Sequence, residues 1–307
     1  MNKRNRFLEN SQCRHRLHRV VSLASSLWLP IRLRYCAMIE LTRLLFVQPG
    51  RHRTFHIVSC ERNAGSSALQ CLDSVYRQYY PRHLIRHVFI DDASSDSTHG
   101  LVLSWLRDHP EHSVEYIHNE QRRGGCANNL TGFRMASPGS IICELNGDDW
   151  LPASGVISYL NKVYQDPEVW MTYNTLKTSS GRYVMPLPIP ERVIVSNAFR
   201  EHMAYGRALH TFRQELLTHV REECLIDPET GDFFASGDDL AFYLCLQELS
   251  GHHARHLYRT TYIYNFNGYA DDYGSTEEQK QRKQRILGLP PCQPLTCLSL
   301  SDQKGHP

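Results

Sequence analysis

The sequence reads as an α/β protein, with a mostly parallel sheet flanked by helices and then a smaller mixed half. Three observations predict this. From Thr54 to Leu145, short apolar runs rich in β-branched residues alternate with segments of helical period. Three polar clusters, Ser59–Asn63, Asp91–Asp96 and Asn146–Asp149, follow such runs. Beyond Asp149 the alternation fades. Strands and helices that alternate at short intervals need right-handed crossovers, which make neighbouring strands parallel. Sheets of this kind bind ligands at the carboxyl ends of their strands, where these polar clusters fall.

Taken in order, Phe55–Cys60 is the first strand and Asn63–Ser67 a turn. Ser67 and Gln70 have capping-box spacing, and Leu69, Leu72, Val75, Tyr76 and Tyr79 mark a helix that Pro81 stops. Leu84–Ile90 is the second strand. Leu101, Val102, Trp105 and Leu106 mark the next helix, and Val114–His118 the third strand. Gly124-Gly125 opens a helix with Ala127, Leu130 and Phe133 on one side, and Ser140–Leu145 is the fourth strand. The second half predicts a helix over Val156–Tyr164, a strand over Met171–Leu176 and a proline-containing loop over Gly181–Pro190. Helices over Leu209–Val220 and Leu240–Leu249 follow, then a strand over Tyr262–Phe266. The tail from Thr276 should be helical and then loose. The domain expectation is a basic segment 1–53, a main domain 54–275 divided near 150, and a tail 276–307.

Of the 307 residues 41% are hydrophobic and 21% charged, which excludes general disorder. The net charge of +2 conceals an asymmetry. Residues 1–53 hold 11 Lys and Arg against 2 Asp and Glu, leaving 23 against 30 in the remainder. An acidic body argues against a nucleic-acid binder. The basic start mixes arginines with apolar runs such as Val20–Leu29, which is too short to span a bilayer. It suits an amphipathic helix on an anionic membrane surface; a helix packed on the domain and a signal peptide are the alternatives. Ten cysteines without a C-x-x-C pair argue against a disulfide scaffold or a zinc site, and place the chain in a reducing cytoplasm, peripheral to the membrane where the N-terminus docks.

Three acidic clusters carry the chemistry. Asp91 and Asp92 directly follow a strand, where a carboxylate can accept from a nucleobase N–H or a ribose hydroxyl; Asp96 reads as a helix cap. Asp148 and Asp149 are adjacent carboxylates that repel unless a cation or donors compensate, and Mg²⁺ or Mn²⁺ favours such oxygen ligands. Asp238 and Asp239 head an apolar helix, where they act as a cap or as a general base.

Together these residues resemble the GT-A fold glycosyltransferases of family 2. Phe55–Asn63 resembles that family's opening strand and loop, and Val88–Thr98 (VFIDDASSDST) its V-V-D-D-G-S-x-D-x-T signature. His118–Gly124 is similar to its N-x-x-x-x-G segment, and Glu144–Pro152 (ELNGDDWLP) to the segment carrying its metal-binding "DXD" motif. Phe212-Arg213 and Gly237–Leu244 resemble its F-R-R and E-D-x-x-L-x-L blocks; the likeness covers residues 54–268. Asn146 stands where the family has Asp, and Asp238 where it has Glu. The resemblance implies a hexosyltransferase-type enzyme that moves a sugar from a UDP- or GDP-sugar to a glycan or lipid-linked acceptor hydroxyl with inversion, possible roles lying in envelope or surface glycan synthesis. It implies donor contacts from Ser59, Glu61, Asp91, Asp92, Asn119, Arg123 and Asp148, a Mg²⁺ or Mn²⁺ ion on Asp149 and Asp148, and a base at Asp239 or Asp238. Tyr243 and Leu244, four and five residues on, favour Asp239. Arg122 and His210 are lesser candidates. The alternatives are a degenerate binding protein of the same fold, and a nucleotidyltransferase, for which Arg62–Gly65 is a poor phosphate loop.

Overall fold

The computed structural model describes residues 35–40, 42, 44, 50–184, 188–202, 208–235, 237–266 and 276–298, without the side chains of 238, 239 and 276. The chain divides into two units, Met1–Phe46 and Val47–Pro307. In the first, residues 35–40, 42 and 44 are helical, and Thr42 Oγ1 donates to Met38 O at 2.8 Å. Most of the basic segment, including Val20–Leu29, lies outside the described residues. No helix among the described residues is long and apolar enough to cross a membrane.

The second unit begins with the expected alternation. Strand β1 (Phe55–Glu61) leads to α1 (Ser67–Tyr76), β2 (Ile85–Asp91), α2 (Thr98–Asp108), β3 (Val114–His118), α3 (Gly125–Arg134) and β4 (Ile141–Glu144). β3, β2, β1 and β4 pair side by side, all parallel. Next come α4 (Val156–Val163), β5 (Met171–Thr178), β6 (Tyr183–Val184), α5 (Glu191–Val195), β7 (His210–Arg213) and α6 (Gln214–Leu217). The described chain closes with α7 (Asp238–Ser250), β8 (Ala254–Tyr264) and α8 (Thr276–Gly288). β7 is antiparallel to both β4 and β5, while β8 runs parallel to β5. The result is one eight-stranded sheet, parallel in its first half and mixed in its second.

The core joins the two halves. Val58, Phe133 and Ile142 from the first half are buried with Tyr173, Phe212 and Phe242 from the second. Phe133 meets Phe212 and Phe242 edge to face, both at 5.3 Å. Helix α3 lies so close to β1 that a Cβ on Gly132 would stand 2.4 Å from Val58 Cγ1. Helix α7 is buried nearly all round, as an apolar helix without a solvent stripe must be.

Four expectations change. Leu209–Val220 is not a helix: β7 occupies its start, followed by the single turn of α6. All four β7 residues are buried, so the strand shows no alternation, and Phe212 with Leu216 mimics helical spacing. Ser67 and Gln70 form no capping box. Ser66 is the N-cap and makes no side-chain cap bond, while Ser67 Oγ accepts from Asn265 Nδ2 at 3.0 Å. α1 ends at Tyr76 rather than at Pro81, which instead precedes a 3₁₀ turn at Arg82–Leu84. The tail beyond α8 is not loose over its described part: Cys292 and Leu298 are buried, and Leu295 N donates to Leu249 O at 3.0 Å.

Candidate functional site

The parallel ladder continues past the strands and sets the loops side by side. Asp92 N donates to Glu61 O at 2.9 Å, Asn119 N to Asp91 O at 2.9 Å, and Gly147 N to Cys60 O at 3.2 Å. Glu61 pairs in register with Asp91, and Asp91 with His118. The ends of β1, β2, β3 and β4 therefore present Glu61, Asp91–Asp92, Asn119 and Asn146–Asp149 along one edge.

The first two loops interlock. Asn63 and Ala93 both have φ of 59°, a left-handed conformation that is unfavourable for side chains with a Cβ. Asn63 N donates to Ser94 Oγ and Ser95 N to Asn63 Oδ1, each at 2.9 Å. Asp91 is fully buried: Oδ1 accepts from Ser94 N at 2.9 Å, and Oδ2 from Tyr116 OH at 2.9 Å and His118 Nδ1 at 3.1 Å. His99 lies beside this group, its ring 4.1 Å from that of His118. Asp92 shapes the third loop. Its Oδ1 accepts from Asn119 Nδ2 (2.9 Å) and Arg123 N (2.8 Å), and its Oδ2 from Gly124 N (2.9 Å). Burial pushes the Asp92 carboxyl up, but the Arg123 and Gly124 amides with Asn128 and Asn119 hold it below its ordinary value. Arg122 and Arg123 are exposed beside it.

Glycine 124 also connects this loop to the second half. Its φ is 84°, and a Cβ there would stand 3.0 Å from Ala235 Cα. That approach sets the loop against the chain entering α7, whose first turn contains Asp238 and Asp239 after the left-handed Gly237. The two aspartate side chains lie outside the described residues.

The fourth loop gathers the carboxylates. A Cβ on Gly147 would stand 2.7 Å from Glu61 Cβ and 3.0 Å from Phe89 Cζ, so only glycine lets this turn press onto β1. Asp148 is thereby hydrogen-bonded to Glu61, and both are half-buried. Burial, then the Asp148 charge, raises Glu61 well above its ordinary value; burial also raises Asp148, against the bond from Glu61. The two carboxyls therefore titrate as a coupled pair. Asp149 points inward with no exposure. It accepts from Tyr262 OH, from Asn265 N at 2.6 Å and from Asn146 Nδ2 at 3.4 Å. Burial and the Asp148 charge push its pKa up to about 8.

The expected residues thus separate into two groups. Glu61, Asp91, Asp92, Asn119, Arg123, Asp148 and Asp149 share the strand-end edge. Ser59 lies inside β1, fully buried, with Oγ 2.9 Å from His87 Nε2 and 3.4 Å from Cys71 Sγ. His210 is buried in β7, opposite Glu144 in register and stacked on Tyr243. Sequence reasoning passed over Tyr116, His118, Tyr262 and Asn265, which hold Asp91 and Asp149. His118 and Asn265 lie at strand ends, which could have pointed to them, whereas Tyr116 and Tyr262 lie within β3 and β8 and carry no such signal. The oxygen-only set of Asp148 and Glu61 suits a hard divalent cation such as Mg²⁺ or Mn²⁺.

No curated protein sequence matches the chain. Among solved structures, S. aureus TarS 1-349 in complex with UDP superposes with a TM-score of 0.56 at 16% identity, over 76% of this chain and 64% of that one. The same protein with UDP-GlcNAc gives 0.55 at 15%, over 76% and 65%. The mannosyltransferase PcManGT from Pyrobaculum calidifontis, in complex with GDP-Man and Mn²⁺, gives 0.50 at 19%, over 85% and 72%. The chain thus spans just under two thirds of the TarS chain that it matches. The fold is GT-A. The sequence model of glycosyl transferase family 2 matches residues 56–221, more than half of the chain. This chain belongs to glycosyl transferase family 2.

Proposed function

We propose that the enzyme transfers a sugar from a nucleoside-diphosphate sugar, UDP- or GDP-linked, to an acceptor hydroxyl with inversion and with the help of Mg²⁺ or Mn²⁺. The observation that carries this reading is the hydrogen-bonded Glu61–Asp148 pair, two half-buried carboxyls that the Gly147 turn brings together past the ends of parallel β1 and β4. Apart from a cation, such a pair can remain buried only by keeping one group protonated. Asp148, with Glu61, would hold the metal. When bound, the metal would neutralise charge developing on the leaving diphosphate. The expectation that gave the metal to both Asp149 and Asp148 narrows to Asp148, because the oxygens of Asp149 are engaged by Tyr262 and Asn265. Asp149 instead anchors the loop to β8.

The Asp92 loop and Asn119 would face the nucleoside, with Arg123 near the diphosphate, while buried Asp91 orders that loop through Ser94, Tyr116 and His118. Ser59 supports β1 from within rather than meeting the donor. Asp239, or Asp238, would take the acceptor hydroxyl proton as the oxygen attacks the anomeric carbon opposite the leaving diphosphate; the freed electron pair stays on that diphosphate. The acceptor is a glycan or lipid-linked hydroxyl in envelope or surface glycan synthesis, and the basic 1–53 segment would meet anionic lipid.

The test is a thermal-shift and turnover panel of UDP-, GDP-, CMP- and dTDP-sugars, each with and without Mn²⁺, on wild type and Asp148→Asn. A true donor raises the melting temperature in proportion to its binding, with metal dependence that the variant loses. A shift without release of nucleoside diphosphate would replace the enzyme with a binding protein of the same fold. Pyrophosphate release would replace it with a nucleotidyltransferase.

A further inference from the structure

We propose that Cys224, Cys245 and Cys292 form a site for one Zn²⁺ ion that clasps the C-terminal segment to helix α7. The three residues come from separate pieces of chain: the 3₁₀ turn Glu222–Cys224, the middle of α7 and the segment after α8. Long separations in sequence hide them from any short ligand motif. All lie C-terminal to the family match, which ends at residue 221. The site is independent of the carboxylates at the strand ends.

The geometry suits a shared cation. The three Sγ atoms lie within 4.8 Å of one another, and those of Cys224 and Cys292 are 3.7 Å apart. With Zn–S bonds of about 2.3 Å, sulfurs around one ion stand roughly 3.7–4.0 Å apart, from tetrahedral to trigonal arrangement. A disulfide needs an S–S distance of about 2.05 Å and would leave the third thiol over. Thiolates are soft ligands that select Zn²⁺ over Mg²⁺ or Mn²⁺.

The surroundings suit the charge. Zn²⁺ would displace three thiol protons to solvent and form a complex of net charge −1. Arg221 Nη2 lies 3.9 Å from Cys224 Sγ. Arg200 pairs with buried Glu248 at 2.7 Å, and Glu248 Oε2 accepts from Cys292 N at 2.7 Å, fixing the backbone of one ligand. All three cysteines are buried, yet Arg221 and Pro291 beside them are exposed, so the cluster sits just beneath the surface. The clasp would fix α7, whose first turn carries Asp238 and Asp239 two turns before Cys245.

The test uses the full chain and two readouts independent of sugar transfer. Zinc content is measured on purified wild type, Cys292→Ser, Cys245→Ser, Cys143→Ser and Asp148→Asn. The expected result is about one equivalent in wild type, Cys143→Ser and Asp148→Asn, and a loss to near zero in the two cluster variants. Because those variants can fail for want of folding, demetallated wild type is also titrated with Co²⁺. Thiolate ligation gives a sulfur-to-metal charge-transfer band that saturates at one equivalent, which carboxylate ligation does not produce. Wild type with no stoichiometric zinc and no such band would overturn the proposal. So would a mass two hydrogens low that peptide mapping places in a Cys224–Cys292 disulfide, or zinc that disappears with Asp148→Asn.

Discussion

The first half of the main unit, 54–150, and the half that follows it are built on the same sheet by different rules. In the first, β1, β2 and β3 pair in chain order through helices, and β4 then crosses back to lie parallel beside β1. In the second, β7 is inserted between β4 and β5 and runs against both. The first half ends its strands in polar loops that belong to the site. The second half supplies the buttress: Tyr262 and Asn265 hold Asp149, and the chain before α7 closes on Gly124. A strand-end edge can thus be written in local motifs, while its support comes from distant chain.

The largest expected effects separate the halves by kinetics. Asp239→Asn should lower kcat by about 10²–10⁴-fold and leave the donor-induced thermal shift intact, because a general base acts only in transfer. If Asp238→Asn carries that loss instead, the base is the earlier residue. Asp148→Asn should cost about 10²–10³-fold in turnover and also abolish the metal-dependent donor shift. It should not lower the metal-free melting temperature, since it removes a carboxylate set against Glu61. A large fall in melting temperature would show that the pair is structural.

Stability sharpens the contrast next. Phe212→Ala, in the strand that joins the halves, should cost about 3–5 kcal/mol in urea unfolding, as for other buried aromatics. A single transition that shifts as a whole is expected, because Phe212 packs on Phe133 from the first half and the core is shared.

Each half also holds a neutral buried histidine. Burial, aided by His56 and His112, pushes His87 down to about 3, and burial pushes His256 down to about 4. Above about pH 6.5 neither affects stability, since folded and unfolded forms are both neutral. As pH falls below that value the unfolded chain takes up protons that the folded chain refuses, so stability declines until the folded pKa is reached. At pH 5 each should have cost roughly 2 kcal/mol relative to pH 7. Unfolding of His87→Gln and His256→Gln measured from pH 7 to 5 should show a shallower slope in each.

The smallest effect concerns the start of α2. Asp96 Oδ1 accepts from Thr98 N at 2.9 Å, whereas Ser97, the N-cap, makes no side-chain cap bond. Asp96→Ala should cost about 1 kcal/mol in melting experiments, and Ser97→Ala less than about 0.5 kcal/mol.

By itself the sequence determined the alternation over 54–150, the parallel class of sheet and the loops at its edge. Those features rest on periodicity and turn chemistry, which act over a few residues. Asp91, Asp92 and Asp148 could be found because each lies at or just past the end of a strand. Tertiary structure alone decided the rest. It made a strand of His210–Arg213, since a strand covered on both faces and both edges carries no alternation to read. It turned Ser59 inward to His87 and Asp149 inward to Tyr262, because the direction of a side chain depends on what packs beneath its strand or turn. It also gathered Cys224, Cys245 and Cys292, whose meeting depends on a tail folding back over α7. Contacts between residues far apart in sequence leave no local pattern, and these decisions were all of that kind.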